Sequence, residues 1–144
     1  KNLINEALKR NVDPTRLIFA NELPLREHLA RHTLGDLALD TFNYNGHTTT
    51  SDALWAGLPV LTKAGKSFAS RVSASLLTAL GIPELITHSE KEYEDKAFNI
   101  ASNYEKLKRL KSEVDNLKNK SSLYNSELFT RELETIFKEL VKTQ

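Results

Sequence analysis

The sequence predicts an α/β fold in which a small parallel β-sheet precedes a long helical segment. In residues 1–88, short apolar runs alternate with helical patterns, and this part holds all five glycines and all four prolines. Residues 89–144 contain neither glycine nor proline and show the apolar spacing of amphipathic helices. Strands that alternate with helices are typical of βαβ units. We therefore expect residues 1–88 to form a sheet lobe and residues 89–144 to pack on it as helices.

The first half of the predicted sheet lobe contains two helices and two strands. Leucine and isoleucine face one side of a short helix at residues 3–8, and Leu-Ile-Phe-Ala at 17–20 has the length of a short buried strand. Pro24 suits the first turn of a helix that runs to His32. Residues 37–39 form the next apolar run and are predicted to be the second strand.

The second half of the lobe repeats this alternation. A helix is predicted from the hydroxyl residues near position 48 to about Gly57, followed by a strand at residues 58–62. The next helix covers residues 67–80, because Gly81 and a proline two residues later are typical of a helix C-terminus. Residues 84–87 are predicted to form a weak last strand.

Two amphipathic helices are predicted in the last part of the chain. Apolar residues recur at spacings of three and four from Tyr93 to Leu117, which predicts one long helix that packs on the sheet or a neighbouring domain, with a coiled coil as the alternative. Its acidic start and basic end match the helix dipole. A second helix carries apolar residues from Leu128 to Val141.

Composition excludes several classes of function. The chain has 144 residues, a formal net charge of +1 and no cysteine, so we expect no nucleic-acid partner, no disulfide and no thiolate zinc site. No stretch approaches the roughly 20 apolar residues that span a bilayer, so we expect no membrane partner. The absence of cysteine suits a reducing compartment, and we expect a cytoplasmic location. The chain also lacks methionine, and we expect it to be a piece of a longer polypeptide.

Four consecutive hydroxyl residues, Thr48 to Ser51, stand at the start of a predicted helix. A helix start exposes N–H groups and the positive end of the helix dipole, which suits phosphate. Gly46 lets the backbone approach a ligand closely. The alternative is a local capping box, with Thr49 as the cap and Asp52 three residues later. The residues alone leave phosphate binding and simple capping equally open.

Nearby imidazole and guanidinium groups offer further ligand contacts. His47 directly precedes the hydroxyl residues, which favours contact with a diphosphate or a sugar over a solvated loop position. His28 and Arg31 share a face of one short helix and could stack on a base, although a solvated helix face is favoured. His28 and His32 lack the H-E-x-x-H pattern, so their spacing is only a weak signal for a metal.

Other chemistry-bearing motifs are missing or weak. The chain has no G-x-S-x-G elbow, no G-x-G-x-x-G and no Walker loop, so neither a nicotinamide nor a P-loop function is expected. Lys63, Lys66, Ser67 and Arg71 could form another anion site, but a structural role is favoured for them.

Several motifs together resemble the C-terminal catalytic lobe of O-linked N-acetylglucosamine (O-GlcNAc) transferases and their bacterial and plant relatives, including SPINDLY-like proteins. The motifs are GHTT at 46–49, DALWAG at 52–57, SFASRVSAS at 67–75 and YED at 93–95, in the order and spacing of that family. The resemblance begins near Asp13 and covers essentially the whole chain.

The resemblance implies a GT-B glycosyltransferase with two Rossmann-like lobes, of which this chain is a partial C-terminal one. It implies that His47, Thr48 and Thr49 contact the diphosphate of a UDP-sugar. It further places Asp52 at the ribose and His28 and Arg31 near the uracil. The implied reaction is an inverting sugar transfer to protein Ser or Thr, with no metal and no cofactor, and with the catalytic base outside this chain.

Two positions depart from the family pattern. Many relatives have glycine where Thr50 stands, and the residues alone give Thr50 no role. Animal members have lysine where Leu25 stands, and Leu25 cannot make the same polar contact, so nucleotide affinity or donor preference is expected to differ.

Family members also contain parts that this chain lacks: tetratricopeptide repeats, an acceptor-side lobe and the first two strands of the C-terminal lobe. In the usual strand order, residues 17–20 would form the edge strand beside those two missing strands. We therefore expect the chain to belong to a longer polypeptide or to pair with another chain, and to be inactive alone. The alternative is a non-catalytic interaction module with a vestigial nucleotide site. Another GT-B enzyme, such as a UDP-sugar epimerase, fits the GHTT and SRVSAS segments poorly.

Overall fold

The computed structural model describes residues 2–142 and contains a three-stranded parallel sheet with the order β1–β2–β3. This confirms the predicted α/β class. The helices and strands of the described residues are α1 Asn2–Lys9, α2 Leu25–His32, β1 Ala38–Leu39, α3 Thr48–Trp55, β2 Val60–Lys63, α4 Val72–Leu80, β3 Ile86–Thr87, α5 Glu90–Ala101, α6 Tyr104–Lys118 and α7 Ser126–Lys142. Short 3-10 turns lie at Pro14–Arg16, Phe68–Ser70, Pro83–Leu85 and Ser122–Tyr124.

The sheet is built from consecutive strands joined by helices, as βαβ connectivity requires. β1 pairs with β2 so that Leu39 lies opposite Leu61, and β2 pairs with β3 so that Thr62 lies opposite Ile86. The helices α4 and α5 both contact β2. β2 is therefore covered by apolar side chains, and its residues Val60 to Thr62 are all buried.

The core lies between the sheet and the helices that follow each strand. Its completely buried members come from α3, β2, α4, the segment at residues 82–85 and the C-terminal helices, and α6 contacts both α3 and α4. Gly81 ends α4 in the left-handed conformation, with φ 95°, which favours glycine because a Cβ is disfavoured there. The buried residues of the central cluster include Leu54, Leu61, Leu77, Ile82, Ile100 and Val114.

The predicted strand at residues 17–20 is wrong. This segment has no regular secondary structure, and Ile18 and Phe19 expose 89% and 59% of their surface. A strand exists only with a hydrogen-bonded neighbour. Within residues 2–142 the sheet ends at β1, and no strand lies beyond it to pair with these residues. An apolar run of strand length is thus insufficient for a strand when its partner is missing.

The single helix predicted from Tyr93 to Leu117 is also wrong, because two helices occupy this segment. α5 ends at Ala101, and the side chain of Asn103 accepts a hydrogen bond from the N–H of Lys106, which caps the start of α6. The apolar periodicity continues through the break, so the spacing alone could not reveal it. The helix predicted from residue 67 likewise starts as a 3-10 turn and becomes α4 only at Val72.

The last helix, α7, has an apolar face that the described residues do not cover. None of its residues is buried, and Phe129 and Phe137 expose 64% and 56% of their surface. No helix within residues 2–142 has both the length and the apolar character needed to cross a membrane.

Tyr93 ties α5 to the loop after β1. Its hydroxyl donates a hydrogen bond to the Asp40 carbonyl oxygen at 3.0 Å, and its ring meets Phe42 edge-on at 4.9 Å. Burial raises the pKa of Tyr93 to about 12, and the negative charge of Asp40 acts in the same direction. The folded protein therefore holds this phenolic proton more tightly than the unfolded chain does.

Stability is expected to fall between about pH 10 and about pH 12. Below pH 10 Tyr93 is protonated in both states, while above it the unfolded chain loses the proton first, which favours unfolding. Urea midpoints measured at pH 9 and pH 11 should decrease less for Tyr93→Phe than for the unchanged protein. Tyr104→Phe is the control, because Tyr104 is 74% exposed. Its urea midpoint should decrease between pH 9 and pH 11 as much as that of the unchanged protein. Equal decreases in all three proteins would contradict this assignment.

Candidate functional site

The loop from β1 to α3 lies at the carboxyl end of β1, where parallel α/β sheets bind their ligands. The Asp40 carboxylate organises this loop. One oxygen accepts from the backbone N–H of Thr41 at 2.9 Å and of Gly46 at 2.7 Å. The other accepts from the Thr62 hydroxyl at 2.6 Å, which joins the loop to β2. The start of α3 is therefore held against the sheet by one side chain.

Asn45 fixes the other side of the loop. It is buried, its N–H donates to the Ala69 carbonyl at 2.8 Å, and its side-chain amide donates to the Thr41 carbonyl at 2.7 Å. The Thr41 hydroxyl donates in turn to the carbonyl of Tyr44. These bonds join the loop to the turn that precedes α4, so the loop is a rigid support rather than a free connection.

The alternative of a capping box at Thr49 and Asp52 does not hold, because the helix starts two residues earlier. His47 is the N-cap residue of α3, and its side chain makes no capping hydrogen bond. The first α-helical bond joins the Ser51 N–H to the His47 carbonyl at 3.1 Å. Thr48 and Thr49 are exposed in the first turn, where the N–H groups lack intrahelical acceptors. The helix start therefore keeps its donors available for an external anion.

The His47 ring is held by two aromatic neighbours. Tyr44 stacks on it at a centroid distance of 4.8 Å and an interplanar angle of 13°, and Phe68 meets it edge-on at 6.0 Å. The Nε2 atom of His47 is buried and forms no hydrogen bond with the described residues. Buried polar atoms usually have partners, so this nitrogen is suited to a ligand atom that is not part of the chain.

His28 and Arg31 form a pair on α2, which contacts α3. The Arg31 guanidinium lies 3.0 Å from Nδ1 of His28 and donates to the Asn21 carbonyl at 2.7 Å. Their shared helix face was predicted, but this contact with the preceding loop was not. Leu25, the first residue of α2, is 68% exposed.

The weak metal signal at His28 and His32 is accounted for by local contacts. The two rings meet edge-on at 4.6 Å, and Nδ1 of His32 lies 2.8 Å from the His28 carbonyl oxygen. Within residues 2–142, no group of three or more histidine and acidic side chains is arranged to hold a metal ion.

Asp52 lies one turn into α3 and is half-buried. Tyr124 lies near this turn, and its hydroxyl donates to the Ser51 carbonyl at 2.9 Å. Burial raises the pKa of Tyr124, and the charge of Asp52 acts in the same direction. The structure thus places Asp52 on the same helix as Thr48 and Thr49, beside the turn that precedes α7.

Comparisons with known proteins identify the family. The model of Glycosyl transferase family 41 matches residues 1–133. The chain belongs to glycosyltransferase family 41. This confirms the resemblance that the GHTT, DALWAG and SRVSAS motifs carry.

The family 41 chain is similar to proteins from distant organisms. It is 35% identical over 135 residues to the UDP-N-acetylglucosamine–peptide N-acetylglucosaminyltransferase of Caenorhabditis elegans. It is 35% identical over 131 residues to a probable enzyme of that name, SPINDLY, from Solanum lycopersicum. These matches cover 94% and 91% of the chain but only 12% and 14% of the relatives.

A solved structure supports the fold. The family 41 chain matches a mutant of the Thermobaculum terrenum O-GlcNAc transferase with a TM-score of 0.87 and 33% identity. The match covers 96% of this chain and 26% of the solved chain. The three-stranded sheet and its helices are therefore a portion of a GT-B fold. The ligand roles assigned to individual residues stay predictions.

Some supporting residues of the site were not predicted. Asp40 acts through Thr62 and backbone N–H groups, Asn45 acts through backbone groups, and Tyr44 stacks on His47 within an irregular loop, to which no spacing rule for helices or strands applies. The signal that was available is their position, since all three lie in the loop that follows an apolar strand and precedes a helix start.

Proposed function

We propose that this chain supplies the UDP-binding part of a UDP-sugar-dependent, inverting glycosyltransferase that modifies protein Ser or Thr. The observation that carries the proposal is the start of α3. Two exposed threonines, open N–H groups and the unpartnered Nε2 of His47 lie together at the carboxyl end of β1. The names of the relatives support the same donor and acceptor class.

The diphosphate of the donor would lie at this helix start. The hydroxyls of Thr48 and Thr49 would donate to phosphate oxygens, and Nε2 of His47 would donate as its N–H tautomer. The positive end of the α3 dipole would add to the same attraction. Asp52 would accept from the ribose hydroxyls, and the His28–Arg31 pair would lie against the uracil.

In the proposed reaction the acceptor hydroxyl attacks the anomeric carbon opposite the leaving group. The bond between that carbon and the UDP oxygen breaks, and UDP leaves with the electron pair. The α3 start would stabilise the developing negative charge, so neither a metal nor a cofactor is required in our proposal. The base that takes the acceptor proton would lie in the remainder of the catalytic region. Residues 1–144 would therefore bind the donor without turnover.

The parent protein in this proposal is cytoplasmic and has tetratricopeptide repeats ahead of its catalytic region. Its partners are the UDP-sugar, the acceptor protein and the rest of the GT-B region, on the same or another chain. A second function, a non-catalytic interaction module, is favoured by one observation, the exposed apolar face of α7.

Calorimetric titration with UDP tests the proposal on the protein at its full natural length. Thr48→Val with Thr49→Val keeps the side-chain shapes and removes both hydroxyl donors. Each lost hydrogen bond costs about 1 kcal/mol, so we expect the Kd for UDP to rise roughly 30-fold. Thr130→Val is the matched control, because that hydroxyl donates to Ser126 within α7, and its Kd should not change.

The same titration separates the two functions. Saturable UDP binding that is weakened by the double substitution supports the transferase. Absence of UDP binding by the unchanged full-length protein would reject the transferase proposal and favour the interaction module.

A further inference from the structure

Two buried hydroxyls connect the start of α3 to α4. Thr50 and Ser73 expose 4% and 0% of their surface, and their oxygens lie 2.9 Å apart. The Ser73 hydroxyl donates to the Gly46 carbonyl at 2.9 Å. Because a serine has one hydroxyl proton, Ser73 accepts in its other bond and Thr50 is the donor. We call Thr50, Ser73 and the Gly46 carbonyl the hydroxyl relay.

The hydroxyl relay fixes the peptide group between Gly46 and His47. The Gly46 carbonyl is directed inward to Ser73, while the Gly46 N–H donates to Asp40 at 2.7 Å. In a trans peptide the N–H points opposite to the carbonyl, so the His47 N–H is directed away from Ser73. The orientation of the peptide that precedes the N-cap residue His47 is therefore set by Ser73, whose side chain is completely buried.

Thr50 also limits the space around Gly46. A Cβ at Gly46 would lie 2.4 Å from the Thr50 hydroxyl oxygen, so glycine and threonine fit closely at these two positions. Without the Thr50 hydroxyl, Ser73 would keep its bond to Gly46 but lose the donor that orients it. This gives Thr50 a role other than capping or ligand contact.

We propose that Thr50 and Ser73 are positioning residues that hold the turn at residues 46–49 in the geometry that binds the donor diphosphate. The identity of the ligand in this inference rests on the proposed function, whereas the geometry of the turn rests on the hydrogen bonds of the structure. The hydroxyl relay acts on the ligand only through Gly46 and His47.

The test measures UDP affinity, local exchange and stability on the protein at its full natural length. Thr50→Val and Ser73→Ala each interrupt the hydroxyl relay, and we expect each to raise the Kd for UDP about 5- to 10-fold. The variant that combines Thr50→Val with Ser73→Ala should bind UDP no more weakly than Ser73→Ala alone, because the two hydroxyls act as a unit. Thr50→Ser retains a hydroxyl and should stay within about twofold of the unchanged protein.

Amide hydrogen exchange measures the local opening of the turn at residues 46–49 in the absence of any ligand. Peptides covering residues 41–50 should exchange faster in Thr50→Val and Ser73→Ala, but not in Thr50→Ser, because the peptide between Gly46 and His47 loses the hydrogen-bonded support of its carbonyl oxygen. Thr87→Val is the matched control. It removes another buried hydroxyl bond, from Thr87 to the Thr62 carbonyl at 2.9 Å, and should lower stability without changing the Kd or this exchange.

The outcomes separate the two proposals. If Thr50→Val lowers stability as Thr87→Val does and changes neither the Kd nor the exchange, the hydroxyl relay is only structural and the inference is overturned. If the unchanged protein does not bind UDP, the proposed function and the ligand part of the inference both fail. The exchange measurement then still decides whether the hydroxyl relay fixes the turn.

Discussion

Replacing Gly46 with alanine is expected to raise the Kd for UDP more than 100-fold, a larger effect than removing both donor hydroxyls. An added Cβ would lie 2.4 Å from the Thr50 hydroxyl oxygen and 2.7 Å from that of Thr49. Both contacts are shorter than any ordinary separation of nonbonded atoms. β-branched side chains have few χ1 alternatives in a helix, so neither threonine can move aside freely.

The structural change caused by Gly46→Ala would displace all the groups at the start of α3 that are proposed to bind the diphosphate. Either Thr50 rotates and leaves the hydroxyl relay, or the Gly46 backbone moves away from Asp40, which binds its N–H, and from Ser73, which binds its carbonyl oxygen. Both responses displace His47 and the first-turn N–H groups from their common geometry. A diphosphate contacts several of these groups at once, so a displacement of the turn affects all of the bonds together.

Calorimetric titration of the full-length protein measures this effect, and two variants provide its controls. Gly35→Ala places a Cβ 3.3 Å from the Leu58 side-chain tip, which can adjust, so UDP affinity should change little. Adding Thr50→Gly to Gly46→Ala removes the shortest contact and should restore part of the affinity. Wild-type affinity in Gly46→Ala alone would show that the turn is not packed as described.

The parallel sheet could be predicted from the sequence because each strand is a short apolar run between helix signals. The runs ending at Leu39, Thr62 and Thr87 all contribute to the sheet, although their bounds differ from the predicted ones. The run at residues 17–20 is also apolar but has no strand partner among the described residues. The apolar composition of a segment indicates that it is suited to burial. Whether the segment forms a β-strand depends on whether another strand lies beside it.

The site was predictable at the level of its helix start but not of its supports. Hydroxyl residues after an apolar strand correctly indicated a helix N-terminus, and the cap was misplaced from His47 to Thr49 because hydroxyls are the preferred caps. Thr50 and Ser73 are 23 residues apart, and only the packing of α3 on α4 brings their hydroxyls together. Such a contact is a property of tertiary structure that local spacing does not contain.

Replacing Leu61 with alanine is expected to destabilise residues 1–144 by about 2–5 kcal/mol. Leu61 lies in the central strand β2, is completely buried, and belongs to the cluster that joins the sheet to its helices. Removing its isobutyl group loses the transfer free energy of the side chain and leaves a cavity that closely packed neighbours fill only partly. The loss is a large share of the roughly 5–15 kcal/mol by which domains are stable, so a substantial unfolded population is expected near 37 °C.

Leu39→Ala is the matched control for this prediction. Leu39 lies opposite Leu61 in the parallel register, but it is 59% exposed on the edge strand β1, so the same change of side chain removes little buried surface. Urea unfolding can be followed by the fluorescence of Trp55, the single tryptophan, because unfolding separates its ring from Tyr124, against which it packs edge-on at 5.1 Å. The midpoint should fall strongly for Leu61→Ala and slightly for Leu39→Ala, with unchanged slopes. Equal shifts for the two leucines would mean that β2 is no more buried than the sheet edge, and the layered core described for this chain would be incorrect.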